Sequence, residues 1–386
     1  MRRSESVGSV ETRFHTLSEP FVTQGGVTIP EVTLAYEIYG EIDDWGGNVV
    51  LVFHALSGSQ HAAGFNPSVP GVGDRWVEEN HQGWWDPFIG PGCGLDTDRL
   101  AVICVNYLGG CYGSTGPSSV NPETGREYGS VFPKITLTDV VDAQVKLLDE
   151  LGIRKLKAVV GASLGGQMAA VLAVKYPERV DTIIPIASGF HTTPLQVLHN
   201  FEQMFAIVTD PDFEGGDYYP GAGPRLGLTL ARMIGHKTFV SLEAIRERAR
   251  DEIVSFEDIG GYRVSSPLES YMLHLGRKFV NRFDANSYMR IMEMWQQFDL
   301  VNEVGGPEAK LSDLLSRCQH QLWQVFTIDS DVCFYPSEQA RMVKALKAAG
   351  VNARRFTVHS EKGHDSFLIE PELYSALLRD VLETEW

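Results

Sequence analysis

Ser163 stands at the centre of a Gly-x-Ser-x-Gly pattern, with Gly161 before it and Gly165 after it. A serine hydroxyl is a weak nucleophile until a neighbouring base takes its proton, and that base is in turn oriented by an acid. The pattern predicts a tight strand-to-helix turn. Small residues two places on either side let the chain pass close to itself, and the middle side chain is pushed out at the carboxyl edge of a sheet. The alternative is a plain glycine-rich turn. The apolar run at 156–162 and the helical pattern at 164–176, stopped by Pro177, favour the nucleophile.

The base and the acid should follow in the chain. His364 lies after the strand pattern 353–359 and before the helical pattern 372–382, on a loop suited to a base. His359 falls inside the strand pattern and reads as a packed or edge side chain. Asp329 and Asp331 both follow the strand pattern 322–328, and position alone leaves both open as the acid. An oxyanion needs paired N–H donors. Leu164, directly after the nucleophile, offers one, and Leu56, in the turn 54–58 that ends an earlier strand pattern, offers the other. His54 reads as a hydrogen-bonded structural residue. The histidines show no metal-ligand spacing, so no metal site is expected.

These residues need a scaffold. Apolar or β-branched runs at 32–39, 48–56, 100–107, 156–162, 180–187, 322–328 and 353–359 read as strands. Helical patterns at 138–151, 164–176, 337–349 and 372–382 alternate with them. That order predicts an α/β fold with a mostly parallel sheet flanked by helices. From 190 to 317 the strand signal nearly vanishes. Ser266, Pro267 and Glu269 form an N-cap, a first-turn proline and a capping box, and Tyr288, Met292 and Trp295 recur at helical spacing. The expected organisation is a flexible N-terminus over 1–20, a core built from 21–189 and 318–386, and a helical lid domain over 190–317. Long Gly/Pro-rich loops at 87–97 and 108–133 are candidates for function.

Composition narrows the function classes. With 43% hydrophobic and 22% charged residues in 386, wholesale disorder is excluded. Lys and Arg total 33 against 50 Asp and Glu, a net charge of −17 without any basic stripe. No nucleic-acid partner and no anionic membrane surface are expected, and an anionic substrate must be met by a few placed arginines or lysines. The cysteines at 93, 104, 111, 318 and 333 form no Cys-x-x-Cys pair, which argues against disulfides and zinc and for a reducing, cytoplasmic setting. The first residues carry two arginines but no apolar stretch, so no secretory signal is expected. The uncharged run 158–174 is short for a membrane span and is broken by Gly161, Gly165 and Gly166.

Several longer runs carry a resemblance. They are His54-Ala55-Leu56, Gly83-Trp84-Trp85, Gly-Gly-Cys-Tyr-Gly-Ser-Thr-Gly-Pro at 109–117, Ala-Arg-Met-Ile-Gly-His at 231–236, Arg-Phe-Asp-Ala-Asn-Ser-Tyr at 282–288 and Gly363-His364-Asp365. From about residue 20 to the C-terminus the chain resembles the homoserine O-acetyltransferase family of the α/β-hydrolase superfamily. The resemblance implies an α/β-hydrolase fold with a helical lid and a ping-pong acyl transfer in methionine biosynthesis. Acetyl-CoA would be co-substrate, with no permanently bound cofactor, L-homoserine the acceptor, and the lid the interface of a homodimer. It implies Asp331 rather than Asp329 as the acid, Arg232 as the holder of the amino-acid carboxylate, and Asp365 as the holder of the α-ammonium. Ala162 and Leu164 stand where relatives often carry Gly and Met, Ser57 where Thr is usual, and Lys237 and Phe239 where Ile and Tyr are expected. The last two lie near Arg232 and bear on the choice of acceptor. The rivals are succinyl-CoA as donor, serine as acceptor, an esterase with the same triad, and an inactive interaction protein, against which the complete triad argues. No phosphate loop marks where the CoA phosphates sit.

Overall fold

The computed structural model describes residues 6–43, 46–251 and 257–383. Among them, eight strands form the central sheet: β1 (Arg13–Thr16), β2 (Thr33–Tyr39), β3 (Val49–Phe53), β4 (Ala101–Val105), β5 (Leu156–Ala162), β6 (Val180–Ile186), β7 (Leu322–Ile328) and β8 (Asn352–Val358). Their order is β1-β2-β4-β3-β5-β6-β7-β8. The β1–β2 and β2–β4 pairs are antiparallel, and the remaining pairs are parallel. β3, β4 and β7 are buried throughout, as the continuous apolar runs require of strands covered on both faces.

Register places the site. Phe53 pairs with Gly161, Ala162 with Ile186, Ile186 with Phe326, and Ile328 with Val358. The carboxyl ends of β3, β5, β7 and β8 therefore share one edge. Residues 54–58, 163–164, 329–331 and 363–365 all leave the sheet there.

The core helices follow their capping signals. α1 (Leu137–Glu150) starts at Thr136, whose side chain and that of Asp139 form a capping box. α2 (Leu164–Lys175) is buried from Leu164 to Val174, so it is apolar all round rather than on one stripe. Between β6 and β7 the chain runs through α3 (Pro194–Val208), α4 (Arg225–Phe239), α5 (Leu242–Asp251), α6 (Pro267–Val280), α7 (Ala285–Gln297), α8 (Leu300–Gly305) and α9 (Leu311–Ser316). A small hairpin pairs Asp258–Ile259 with Tyr262–Arg263. The capping box at Ser266 and Glu269 is formed as its sequence requires. α3 packs on α4 and α7, and α4 on α6, whereas α8 packs on α2 and α9 on the next helix, α10 (Pro336–Ala348). The end of the 190–317 stretch thus rejoins the core helices, and α3–α7 form the cap. α11 (Ser366–Ile369) and α12 (Ser375–Glu383) close the chain.

The N-terminus was expected to be flexible over 1–20, yet β1 lies within it and pairs with β2 from Arg13↔Tyr36 to Thr16↔Thr33. Residues 1–5 lie outside the described residues. His15 Nε2 and the Ser18 N–H both meet the Glu150 carboxylate on α1, and Leu17 is buried. β1 is an edge strand with mostly exposed side chains, so it carries no apolar run to reveal it.

Candidate active site

Ser163 is the turn between β5 and α2, with φ 58° and ψ −124°. A non-glycine residue at positive φ stores strain of order 1–3 kcal/mol, and it persists only where the surroundings fix it. Here they do. The Ser163 N–H donates to the Ile186 carbonyl at 2.9 Å, and its carbonyl accepts from Ser188 Oγ at 2.8 Å. A Cβ on Gly161 would lie 2.1 Å from the Gly165 carbonyl oxygen, and one on Gly165 would lie 2.3 Å from that of Phe53. Both positions therefore require glycine. Leu164 opens α2, and its N–H is one of the first donors of a helix, which lack intrahelical acceptors.

His364 lies between β8 and α11. Its Nδ1 is 2.7 Å from Asp331 Oδ2, and the two side chains are 2% and 0% exposed. The other oxygen of Asp331 accepts the N–H groups of Cys333 and Phe334 at 2.8 Å each. The His364 ring stacks on Phe334 and meets Phe367 edge-on. Burial opposes charging of the imidazole, but the Asp331 carboxylate outweighs it and raises the His364 pKa above the usual histidine value. Nε2 of His364 is buried without a hydrogen-bond partner, and His364 and Ser163 line one cavity. No hydrogen bond joins Ser163 Oγ to Nε2; catalytic hydrogen bonds of this kind tighten in the substrate complex.

The two rivals for these roles pair with each other. Asp329 Oδ2 is 2.7 Å from His359 Nδ1, with His359 82% exposed. That pair lies at the surface, apart from the cavity-lining residues.

The second oxyanion candidate sits on a turn closed by the Gly58 N–H donating to the Ala55 carbonyl at 3.0 Å. His54 anchors this turn. Its ring stacks on Tyr107 at 3.5 Å, its Nδ1 is 2.8 Å from the Ala55 carbonyl, and Tyr107 OH donates to its own carbonyl. Burial lowers the His54 pKa to about 3, so the ring is neutral. Leu56 and Ser57 line the cavity with Ser163.

Arg232 on α4 and Asp365 complete the same cavity, of about 60 Å³. Arg232 makes no hydrogen bond or ion pair among the described residues. Its Cζ stands 5.6 Å from the Phe239 ring centroid and 4.9 Å from that of Phe279. Burial, and then the charge of Arg282, lower its pKa. Burial raises the Asp365 pKa, which His364 and Arg232 partly offset. Through Ala55, Ser57, Arg232 and Leu368 the cavity adjoins a vestibule of about 230 Å³. A larger cavity of about 470 Å³, lined by Arg75, Arg225 and Asp284, shares none of its lining residues. Phe279, Phe334 and Arg282 were not singled out from the sequence as site residues, since isolated aromatics and a cation on helical segments carry no spacing signal. No group of three or more His, Cys, Asp or Glu side chains placed to hold a metal occurs among the described residues.

Residues 48–369 match the family described as the alpha/beta hydrolase fold, and the sheet order and elbow are those of this class of protein. A homoserine O-acetyltransferase from Moorella thermoacetica is 39% identical over 379 residues, 98% of each chain. A homoserine O-succinyltransferase from Laribacter hongkongensis is 40% identical, covering 98% of this chain and 97% of that one. The crystal structure of esterase E22 superposes with a TM-score of 0.85 at 26% identity, covering 97% of this chain and 100% of that one. The chain belongs to the homoserine O-acetyltransferase family.

Proposed function

We propose that this chain transfers an acetyl group from acetyl-CoA to the side-chain hydroxyl of L-homoserine through an acetyl-Ser163 intermediate. His364 Nε2 takes the Ser163 Oγ proton as Oγ attacks the thioester carbonyl. The N–H groups of Leu56 and Leu164 stabilise the oxyanion, and a single donor of this kind is typically worth about 3 kcal/mol. The C–S bond breaks, and the thiolate of CoA takes the proton from His364. Homoserine then enters. His364 accepts its hydroxyl proton, the oxygen attacks the acetyl carbonyl, and Ser163 leaves and recovers the proton. Arg232 holds the acceptor carboxylate and Asp365 its ammonium.

One observation carries this reading. Arg232, which makes no hydrogen bond or ion pair among the described residues, and the carboxylate of Asp365 line the cavity that holds Ser163 and His364. An esterase for simple acyl esters has no use for such a pair, whereas a free amino acid matches it. The chemistry needs no permanently bound cofactor, and the free, buried cysteines fit a reducing cytoplasm. No helix of the described residues is long and apolar enough to cross a membrane.

The cap would also carry a homodimer. Leu198, Phe201, Phe205 and Val208 on α3 and Leu226 and Leu230 on α4 are 44–73% exposed, an apolar face on two packed helices.

Thiol release from acetyl-CoA and from succinyl-CoA, each with homoserine, serine or water, tests the reading. Acetyl-CoA with homoserine should be the fastest combination. Fastest turnover with water would make the protein an esterase.

A further inference from the structure

Arg232 is not the only cation near the site without a hydrogen-bonded carboxylate among the described residues. Arg282, two residues after the C-terminus of α6, lines the vestibule with it. Arg282 Cζ stands 5.0 Å from the centroid of Phe279, the same ring that Arg232 Cζ approaches at 4.9 Å. Arg282 Nη1 donates to the Ser57 carbonyl at 3.3 Å and to Tyr112 Oη at 3.1 Å. Both acceptors are neutral, and its Nε and Nη2 have no partner among the described residues. The other titratable residues on the vestibule wall are already engaged. Glu79 pairs with Lys278 at 2.9 Å, and His61 with the buried Glu37 at 2.9 Å. Arg232 and Arg282 thus both line the vestibule and both lie against the ring of the buried Phe279, with no carboxylate hydrogen-bonded to either among the described residues. The two charges feel each other, since Arg282 helps lower the Arg232 pKa, and an anion between them would relieve that repulsion.

We propose that Arg282 and Arg232 together form one carboxylate-binding site on the Phe279 platform, with Arg282 as its second arm. The inference rests on the acyltransferase reading and names how it selects its substrate. Arg282 touches Ser57, the neighbour of Leu56, so the anion it binds lies close to the reacting carbonyl. The phosphates of CoA are held away from the thioester by the whole pantetheine arm and do not reach this position. Two sources of a carboxylate remain. One is the α-carboxylate of the amino-acid acceptor. The other is the free carboxylate of a dicarboxylic acyl group on the donor.

The test compares wild type, Arg282→Gln and Arg282→Lys, using enzyme already acetylated by acetyl-CoA. Its discharge is timed with L-homoserine and with 3-amino-1-propanol, which keeps the hydroxyl and the amine but lacks the carboxylate. CoA release from acetyl-CoA and from succinyl-CoA is timed in parallel. For an acceptor site, Arg282→Gln lowers the preference for homoserine over the amino alcohol by roughly ten- to a hundredfold, and Arg282→Lys keeps most of it. For a donor site, Arg282→Gln instead loses CoA release from succinyl-CoA relative to acetyl-CoA by a similar factor. Equal losses with both acceptors and both donors overturn the site and leave Arg282 as a brace for the Ser57 turn. Wild-type enzyme that releases CoA yet makes no acyl-homoserine overturns the functional reading and the site with it.

Discussion

The backbone N–H of Asp365 donates to the carbonyl of Phe239 at 2.8 Å, which ties the loop carrying His364 to the last residue of α4. A second bond, from the Ser241 N–H to the Lys362 carbonyl at 3.0 Å, reinforces it. Gly363, at φ 82°, fits only because it has no Cβ; one would lie 2.7 Å from the Ser241 nitrogen. Arg232 is about two turns earlier on α4. The cap helix that offers the guanidinium and the core loop that offers the base are thus held as one unit.

Arg232→Ala should therefore damage the acceptor step more than the donor step. An acetyl group has no carboxylate for a guanidinium to hold, and homoserine has one. Losing such a charge-assisted contact costs about 2–5 kcal/mol when the partner is left buried, roughly 30- to several-thousandfold in rate. Rapid-mixing measurement of CoA release, set against steady-state turnover with homoserine, separates the two. Equal losses in both steps would count against the assigned role.

Asp331→Asn should lower kcat by about 10⁴-fold, because the tautomer and orientation of His364 depend on that carboxylate. Asp329→Asn should change kcat little and stability by no more than about 1 kcal/mol, since its partner His359 is largely solvent-exposed. The larger loss at Asp329 would reassign the acid.

The pH profile follows from the raised His364 pKa. The ring must be neutral to accept a proton, so kcat/KM should rise with pH through an apparent pKa above about 6.5, the ordinary histidine value. In Asp331→Asn burial still opposes the charged ring and only the Asp365 carboxylate is left to favour it, so the residual activity should rise through a lower pKa than in wild type. The Asp331–His364 contact contributes fully below the unfolded pKa and is lost as pH rises through the folded one. A limb that does not move on Asp331→Asn would detach His364 from it.

Phe201→Asp combined with Phe205→Asp should convert a dimer into a monomer in sedimentation, since both side chains are more than half exposed on α3. Wild type that sediments as a monomer at micromolar concentration would remove the proposed interface.

Much of this was legible in the residues, and the exceptions have physical reasons. β5 and β7 span the residues expected of them because a strand buried on both faces must be apolar throughout. The strand expected over 48–56 stops at Phe53, where the chain turns to build the 54–58 loop. β1 was hidden because an edge strand needs no apolar run. The choice between Asp329 and Asp331 was open because two carboxylates at one strand end differ only in where the next turn sends them. Arg232 was legible through resemblance alone. A cation on a helix looks like any solvated residue until the cavity beside it is seen, and Arg282 is hidden for the same reason.

The proposed transfer requires Ser163 to carry the acyl group and pass it to homoserine. Mass spectrometry of the enzyme mixed with acetyl-CoA alone tests it most directly, followed by addition of L-homoserine. The expected result is one added acetyl group on the peptide containing Ser163, absent in Ser163→Ala, and discharged as O-acetylhomoserine much faster than water removes it. An acetyl group on Cys111 instead, or discharge at the same rate with and without homoserine, would contradict the account.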